Sequence, residues 1–215
     1  MQVDNSRLLR EYVFFPSICF PDKTEGSLLH LLTLAVKRWA SLNEVNNTRN
    51  GGLSNYTFLN LVVFFLQHIG LLPCLQDENI SGELYESSVE IGDAIYEYYF
   101  YTKVSPKPEE YELAKRYFER PGDLLKGFFE FYANFPWKDF AVSIRHGVPV
   151  SKRPQDRMKI FDPLDASRDL ADVIRSADER MYLLQAFQDA RKELGREDLS
   201  AEEKLELLLR ASEDL

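Results

Sequence analysis

Apolar residues recur every three or four positions along the stretch that ends VKRWASL: Leu28, Leu31, Leu32, Ala35, Val36, Trp39 and Leu42. A single stripe at that spacing predicts a helix over residues 25–42. A second apolar run, TFLNLVVFFLQ, follows the hexapeptide GGLSNY at residues 51–56. Ser54 has the chemistry of a helix cap and Pro73 that of a stop, so a buried helix is expected from Ser54 to about Gly70. Residues 5–15 read as a short helix halted by Pro16. Pro108 opens a helix running to about Arg120, and Pro121 opens another that ends near Pro136. Residues 177–194 form an amphipathic helix. A last helix spans 199–213, with Ser200 as cap and Glu202 and Glu203 in its first turn.

Where the period of three to four fails, shorter patterns take over. FAVSIRHG (140–147) and RMKIFDP (157–163) are β-branched or alternating runs bounded by Gly and Pro, and they read as strands. NEVNNTRNGG (43–52) and KRPQDR (152–157) are polar loops. Within 76–106, the segment IGDAIYEYYFYTKV suits a helix or a strand, because aromatic residues fit either. The fold class expected is mainly α (α+β), with a small β element near residues 139–162. No internal repeat or low-complexity linker divides the chain, so one domain is the simplest account.

Composition narrows the functions available. Of 215 residues, 45% are hydrophobic and 28% charged, which is ordinary for a globular domain able to bury a sizeable core. The formal charge of −9 argues against a chain that grips nucleic acid through its overall field, while leaving room for a local pocket. Cys19 and Cys74 lie in apolar contexts and read as core thiols, not as a disulfide framework or zinc site. The first residues, MQVDNSRLLREY, are polar and charged, unlike a secretory leader. The apolar run near 58–66 is too short to cross a bilayer. The Asn-x-Ser/Thr matches at Asn46, Asn55 and Asn79 then read as chance, and an intracellular, cytoplasmic location is expected, with the nucleus as the alternative.

Candidate chemistry is sparse. The chain has no G-x-x-x-x-G-K-[ST] or G-x-G-x-x-G phosphate loop, no H-E-x-x-H and no C-x-x-C. Its three histidines, His30, His68 and His146, are far apart and read as helix or strand-end residues. Lys37 and Arg38 form a basic pair that is either a phosphate contact or a solvated helix edge. Asp162, Asp165, Arg168, Asp169 and Asp172 crowd the segment FDPLDASRDLADVIRS, which is either a turn with capping aspartates or a functional cluster.

The order of segments is more specific than any one of them. NSRLLREY, VKRWA, GGLSNY with its apolar helix, DLLKGFFEFYANFPWKDFAVSIRHG, IFDPLDASRDLADVIRS and QAFQDARKEL follow one another from about residue 5 to 195. This series resembles the family of non-standard poly(A) polymerases and terminal uridylyltransferases, over their central domain and poly(A)-polymerase-associated segment. The family patterns concerned are N-T-x-L-L, V-K-x-W-A-K, G-x-L-S-S-Y, an aromatic L-L-x-x-F-F segment and an E-D-P-F-(D/E) turn. The resemblance implies a helical nucleotidyltransferase central domain over residues 1–198, followed by a C-terminal helix extension at 199–215.

It also implies roles. Asn5 matches the asparagine that approaches the ribose of the incoming nucleotide, and Lys37 the lysine that contacts its triphosphate. Tyr56 matches the tyrosine on which the base stacks, with Asn55 beside it as a donor. Asp162 and Asp165 match acidic positions on the base-binding side. In this reading the glycines of GGLSNY let the backbone approach the cleft. The departures are as informative. The second triphosphate lysine falls at Ser41, and the closing asparagine of the turn is Asp169. Arg168 stands where uridylyltransferases carry a uracil-selecting histidine, which favours adenine or mixed use over strict uridine selectivity.

The partners implied are a nucleoside triphosphate (ATP or UTP) and an RNA 3′ end, with Mg²⁺ or Mn²⁺ as cofactor. The family's metal-binding carboxylates lie N-terminal to its N-T-x-L-L element and have no counterpart in this chain, so the chain alone is expected not to polymerise nucleotides. The expected function is the nucleotide-binding half of an RNA 3′-terminal nucleotidyltransferase, completed by a catalytic domain or a protein partner. The alternatives are a non-catalytic interaction or scaffold protein derived from such an enzyme, and an unrelated helical domain.

Overall fold

The computed structural model describes residues 2–19, 27–91, 94–153, 155–165, 167–198 and 200. The helix expected over 199–213 lies outside them, apart from Ser200.

The chain order is α1 (Gln2–Val13), α2 (Leu28–Leu42), α3 (Asn55–His68), the strands β1 (Glu83–Ile91) and β2 (Ala94–Thr102), α4 (Pro108–Glu119), α5 (Pro121–Asn134), the short strands β3 (Phe140–Ala141) and β4 (Val150–Ser151), and α6 (Ala177–Leu194). The helices start where capping chemistry allows. Ser27 caps α2 by accepting from the His30 N–H, and Ser54 caps α3 by accepting from the Thr57 N–H. Ser176 and Glu179 exchange reciprocal hydrogen bonds at the start of α6. The expected helices over 25–42, 54–70, 108–120, 121–136 and 177–194 are all present within a few residues.

Helix α3 is buried on nearly every side, as a helix apolar all round must be. Phe58, Leu61, Val62, Phe64, Phe65 and Leu66 are buried along it. Against it pack α2, through Val36 and Trp39, and α5, through Phe128, Phe129 and Tyr132. Helix α6 closes the body by seating Phe187 on Trp39 and on the α5 aromatics. The Tyr132 hydroxyl donates to the Leu61 carbonyl at 2.7 Å, so the buried phenol is satisfied where it crosses α3. Gly127 has a packing reason: a Cβ there would sit 3.2 Å from the Phe65 ring, so its absence sets how closely α5 approaches α3.

The segment left open between helix and strand is a hairpin. β1 and β2 pair antiparallel from Glu83↔Thr102 to Ile91↔Ala94. Alternation decides the matter: Tyr98 and Phe100 are buried in the body, while Glu97 is exposed and Tyr99 only half-buried. Tyr85 faces Phe100 with ring centroids 4.8 Å apart, and the Arg7 guanidinium lies over the Tyr85 ring at 3.9 Å, which docks the hairpin on α1.

The expected strands over 140–147 and 157–163 are much shorter than the sequence suggests. β3 pairs with β4 over only two residues on each side. After Val142 the chain turns: the Ser143 carbonyl accepts from the N–H groups of His146 and Gly147, the Ser143 hydroxyl meets His146 Nδ1 at 2.8 Å, and Gly147 takes φ +65°. Single bridges then join Val142 to Ile160 and Phe161 to Asp169. This minimal ladder is what holds the 162–168 loop. Cys19 and Cys74 are half-buried, not core as expected. The Cys74 thiol donates to the Arg145 carbonyl at 3.0 Å.

Candidate nucleotide-binding site

The loop from Asp162 to Arg168 is closed at its base by two pairs of backbone groups. The Asp162 N–H donates to the Arg168 carbonyl, and the Leu170 N–H donates to the Ile160 carbonyl. Inside it, the carboxylates organise the backbone. Asp162 Oδ1 accepts from the N–H groups of Leu164 and Asp165 at 3.0 and 3.2 Å. Asp165 Oδ1 accepts from the N–H and hydroxyl of Ser167, at 3.0 and 2.6 Å. Asp169 Oδ1 accepts from the N–H groups of Ile160 and Ala171, and burial pushes its carboxyl pKa up. The aspartates fold their own loop, and Asp162 Oδ2 lies outside this backbone network.

That oxygen, Oδ2, faces Tyr56 at the start of α3. The phenol donates to it at 3.4 Å, and Arg168 Nη1 approaches it at 3.5 Å. Both distances are long for such bonds, in contrast to the two tight contacts on Oδ1. The carboxylate is fully buried while the Arg168 side chain is about half exposed. Burial, with the Asp162 charge next, pushes the Tyr56 pKa well up, so the phenol stays protonated and donates. Tyr56 itself is half-buried, and the side-chain amide of Asn60 donates to its backbone carbonyl at 2.9 Å. The Thr57 hydroxyl donates to the Leu170 carbonyl, which ties the first turn of α3 to the end of the loop.

The structure thus brings together Tyr56, Asp162 and Arg168, with Asp165 and Asp169 supporting the loop beneath them. It does not join Asn5 or Lys37 to that group by any hydrogen bond or ion pair among the described residues. Asn5 is buried in α1, and its side-chain oxygen has no partner. Lys37 is half-buried on α2 and Arg38 is exposed, so the basic pair splits into an inward and an outward residue. Asn55 is exposed, and its side-chain oxygen accepts from Asn46 at 3.5 Å.

The glycines before Tyr56 have a local structural reason. Gly51 takes φ +77°, and a Cβ there would strike the Glu179 side chain of α6. A Cβ on Gly52 would lie 2.6 Å from backbone atoms of Val45 and Asn47. The turn accounts for both glycines, and α6 passes over Gly51.

Gln76 was not singled out by the sequence. It is buried, and its amide donates to the Pro163 carbonyl, inside the Asp162 loop, at 3.0 Å. A lone glutamine after LPCL carries no motif. A surface hollow of about 600 Å³ runs along α4, past Glu112, Leu113 and Arg116. It follows the solvated side of one helix and contains no comparable convergence of ring, carboxylate and guanidinium.

No group of three or more His, Cys, Asp or Glu among the described residues is placed to hold a metal ion. In the loop aspartates Oδ1 serves backbone N–H groups, and the carboxylates form no such group with one another. No helix among the described residues is long and apolar enough to cross a membrane.

The fold is shared with solved structures of a poly(U) polymerase and an RNA terminal U-transferase. The chain superimposes on a crystal structure of the Cid1 poly(U) polymerase bound to Mg 3′-dATP with TM-score 0.67, at 21% identity, over 86% of this chain and 56% of that one. It superimposes on a cytoplasmic RNA terminal U-transferase with TM-score 0.63, at 22% identity, over 83% and 57%. In sequence, residues 122–168 match the family described as Cid1 family poly A polymerase. Poly(A) RNA polymerase GLD2 of Rattus norvegicus is 30% identical over 157 residues, covering 72% of this chain and 28% of that protein. The mitochondrial poly(A) RNA polymerase of Drosophila melanogaster is 30% identical over 138 residues, covering 62% and 21%. The chain belongs to the non-standard poly(A)/poly(U) polymerase family and spans less than a third of the length of these two relatives.

Proposed function

We propose that this chain is the nucleotide-binding part of an RNA 3′-terminal nucleotidyltransferase, with Tyr56 as the base-stacking platform and the Asp162 loop as the opposite wall. The observation that carries this reading is the convergence of Tyr56 with Asp162 and Arg168, more than a hundred residues away along the chain. The loosely held Asp162 Oδ2 and the half-exposed Arg168 together offer an acceptor and a set of donors to a base edge. The bonds from Asp162 to the loop backbone run through Oδ1, so Oδ2 is not among them. Arg168 presents only donors, which suits acceptor atoms on either base, and its standing where uridylyltransferases carry a histidine favours adenine or mixed use. Lys37 is the triphosphate contact, and Asn5, with its unpartnered buried oxygen, the group that receives a ribose hydroxyl. The RNA 3′ end, Mg²⁺ or Mn²⁺ and a catalytic domain complete the activity. The names of the relatives, poly(A) RNA polymerase and poly(U) polymerase, support the reaction class. A cytoplasmic setting is part of the same proposal.

Titration of the full chain with ATP and UTP tests this. Tyr56→Ala should weaken binding about tenfold, the usual size of a lost base–aromatic stack, while Tyr56→Phe keeps most of the affinity. Unchanged affinity in the alanine variant would remove the stacking role. Lys37→Ala should weaken ATP binding severalfold and leave adenosine binding alone; an equal loss for both would remove Lys37 from the triphosphate. A chain that binds neither nucleotide, yet captures a defined protein partner, would favour the non-catalytic scaffold.

A further inference from the structure

Gln76 has no place in the nucleotide site as described, yet it touches the loop that builds it. The residue before Gln76 is fixed through both of its backbone groups. The Leu75 N–H donates to the Tyr12 hydroxyl at 3.1 Å, and the Leu75 carbonyl accepts from the Tyr101 N–H at 2.7 Å, which anchors the segment to α1 and β2. The Cys74 thiol adds its bond to the Arg145 carbonyl. From this anchored position the Gln76 side chain, 5% exposed, reaches the Pro163 carbonyl at 3.0 Å. Pro163 stands between Asp162 and Leu164, whose N–H is one of the two that hold Asp162 Oδ1.

The other half of the amide is informative. Gln76 Oε1 is buried with no hydrogen-bond partner. Reversing the amide would set that oxygen against the Pro163 carbonyl, two acceptors face to face. So the site carries an unpaired buried acceptor in order to keep one donor on Pro163. A leucine or methionine would fill the same space without burying an unpaired oxygen. Packing therefore does not account for a glutamine here; the contact with the loop does.

We infer that Gln76 is a positioning residue: it clamps the Pro163 carbonyl and thereby sets the Asp162 carboxylate against Tyr56. The inference rests on the nucleotide-binding reading of that pair. Residues 73–80 are thus the mount for the Asp162 loop, and hairpin β1–β2 and α1 brace that mount from behind.

The test is a double-mutant cycle on nucleotide affinity in the full chain, using ATP and the variants Gln76→Met and Asp162→Asn. Asparagine keeps an oxygen for the Leu164 and Asp165 N–H groups and removes the charge at Oδ2. Gln76→Met alone should weaken ATP binding on the order of fivefold, with the unfolding midpoint close to that of the wild type. In the Asp162→Asn background the same change should have little further effect, because the two act through one group. Should the methionine variant not fold, Gln76→Asn, an amide one methylene shorter, supplies the same loss of contact. Unchanged affinity in Gln76→Met, or a loss that adds in full to that of Asp162→Asn, overturns the positioning role. If Asp162→Asn and Tyr56→Ala themselves leave ATP affinity untouched, the nucleotide-site reading fails first and takes this inference with it.

Discussion

Replacing Trp39 with alanine should cost the fold about 3–5 kcal/mol, the range seen when a large buried aromatic is truncated. Trp39 is 1% exposed and is the one side chain of α2 that touches three other helices through rings. Phe58 of α3 meets it edge-on at 6.1 Å, Phe129 of α5 at 4.7 Å and Phe187 of α6 at 5.2 Å. Truncation leaves a hole that no single neighbour can fill, because each ring is itself held by others: Phe129 by Phe128, and Phe187 by Tyr132. Domains of this size are stable by roughly 5–15 kcal/mol, so the variant should unfold at a much lower urea concentration. Trp39→Phe should lose well under half as much. An alanine variant that loses less than about 1 kcal/mol would mean that the helices close without this ring.

Trp39 also shows what the sequence makes legible. Its helix, and the four others with a clear three-to-four spacing or a Ser or Pro start, are visible because burial on one face imposes a period that a single chain displays. The hairpin is not visible in that way. Tyr98, Tyr99, Phe100 and Tyr101 are aromatic on consecutive positions, so neither period stands out, and the choice is made by pairing with Tyr85 and by docking on Arg7. The strands over 140–147 and 157–163 are over-read for the opposite reason. β-Branched residues there pack in single bridges, and the Ser143–Gly147 turn ends the ladder early.

The site divides along the same line. Ser54 as cap and the aspartates as turn formers follow from local chemistry. That Tyr56 meets Asp162 does not, since nothing within either segment points to the other; only the resemblance in segment order brought them together. Gln76 falls outside both routes. Its partner is a backbone carbonyl, and a carbonyl leaves no trace in the sequence.

Asp162→Ala should damage stability and binding together, while Asp162→Asn should separate them. In the alanine variant the Leu164 and Asp165 N–H groups lose their acceptor inside a buried loop, at about 1–3 kcal/mol for each group left unpaired. The loop base, closed by the Asp162–Arg168 and Ile160–Leu170 backbone bonds, is too short a ladder to hold the shape alone. Asparagine keeps an oxygen where Oδ1 stands and so keeps the turn. Its amide nitrogen, placed at Oδ2, faces the Arg168 guanidinium with donors on both sides and offers no charge to a ligand. The unfolding midpoint should therefore fall clearly in Asp162→Ala and little in Asp162→Asn. ATP affinity should fall in both, by about tenfold or more, the size expected when a charged hydrogen-bond partner is lost. If asparagine binds ATP as the wild type does, Oδ2 is a structural oxygen, and Asp162 belongs to the fold and not to the site. If asparagine destabilises as much as alanine, the charge itself holds the loop, and the division of labour between the two carboxylate oxygens is wrong.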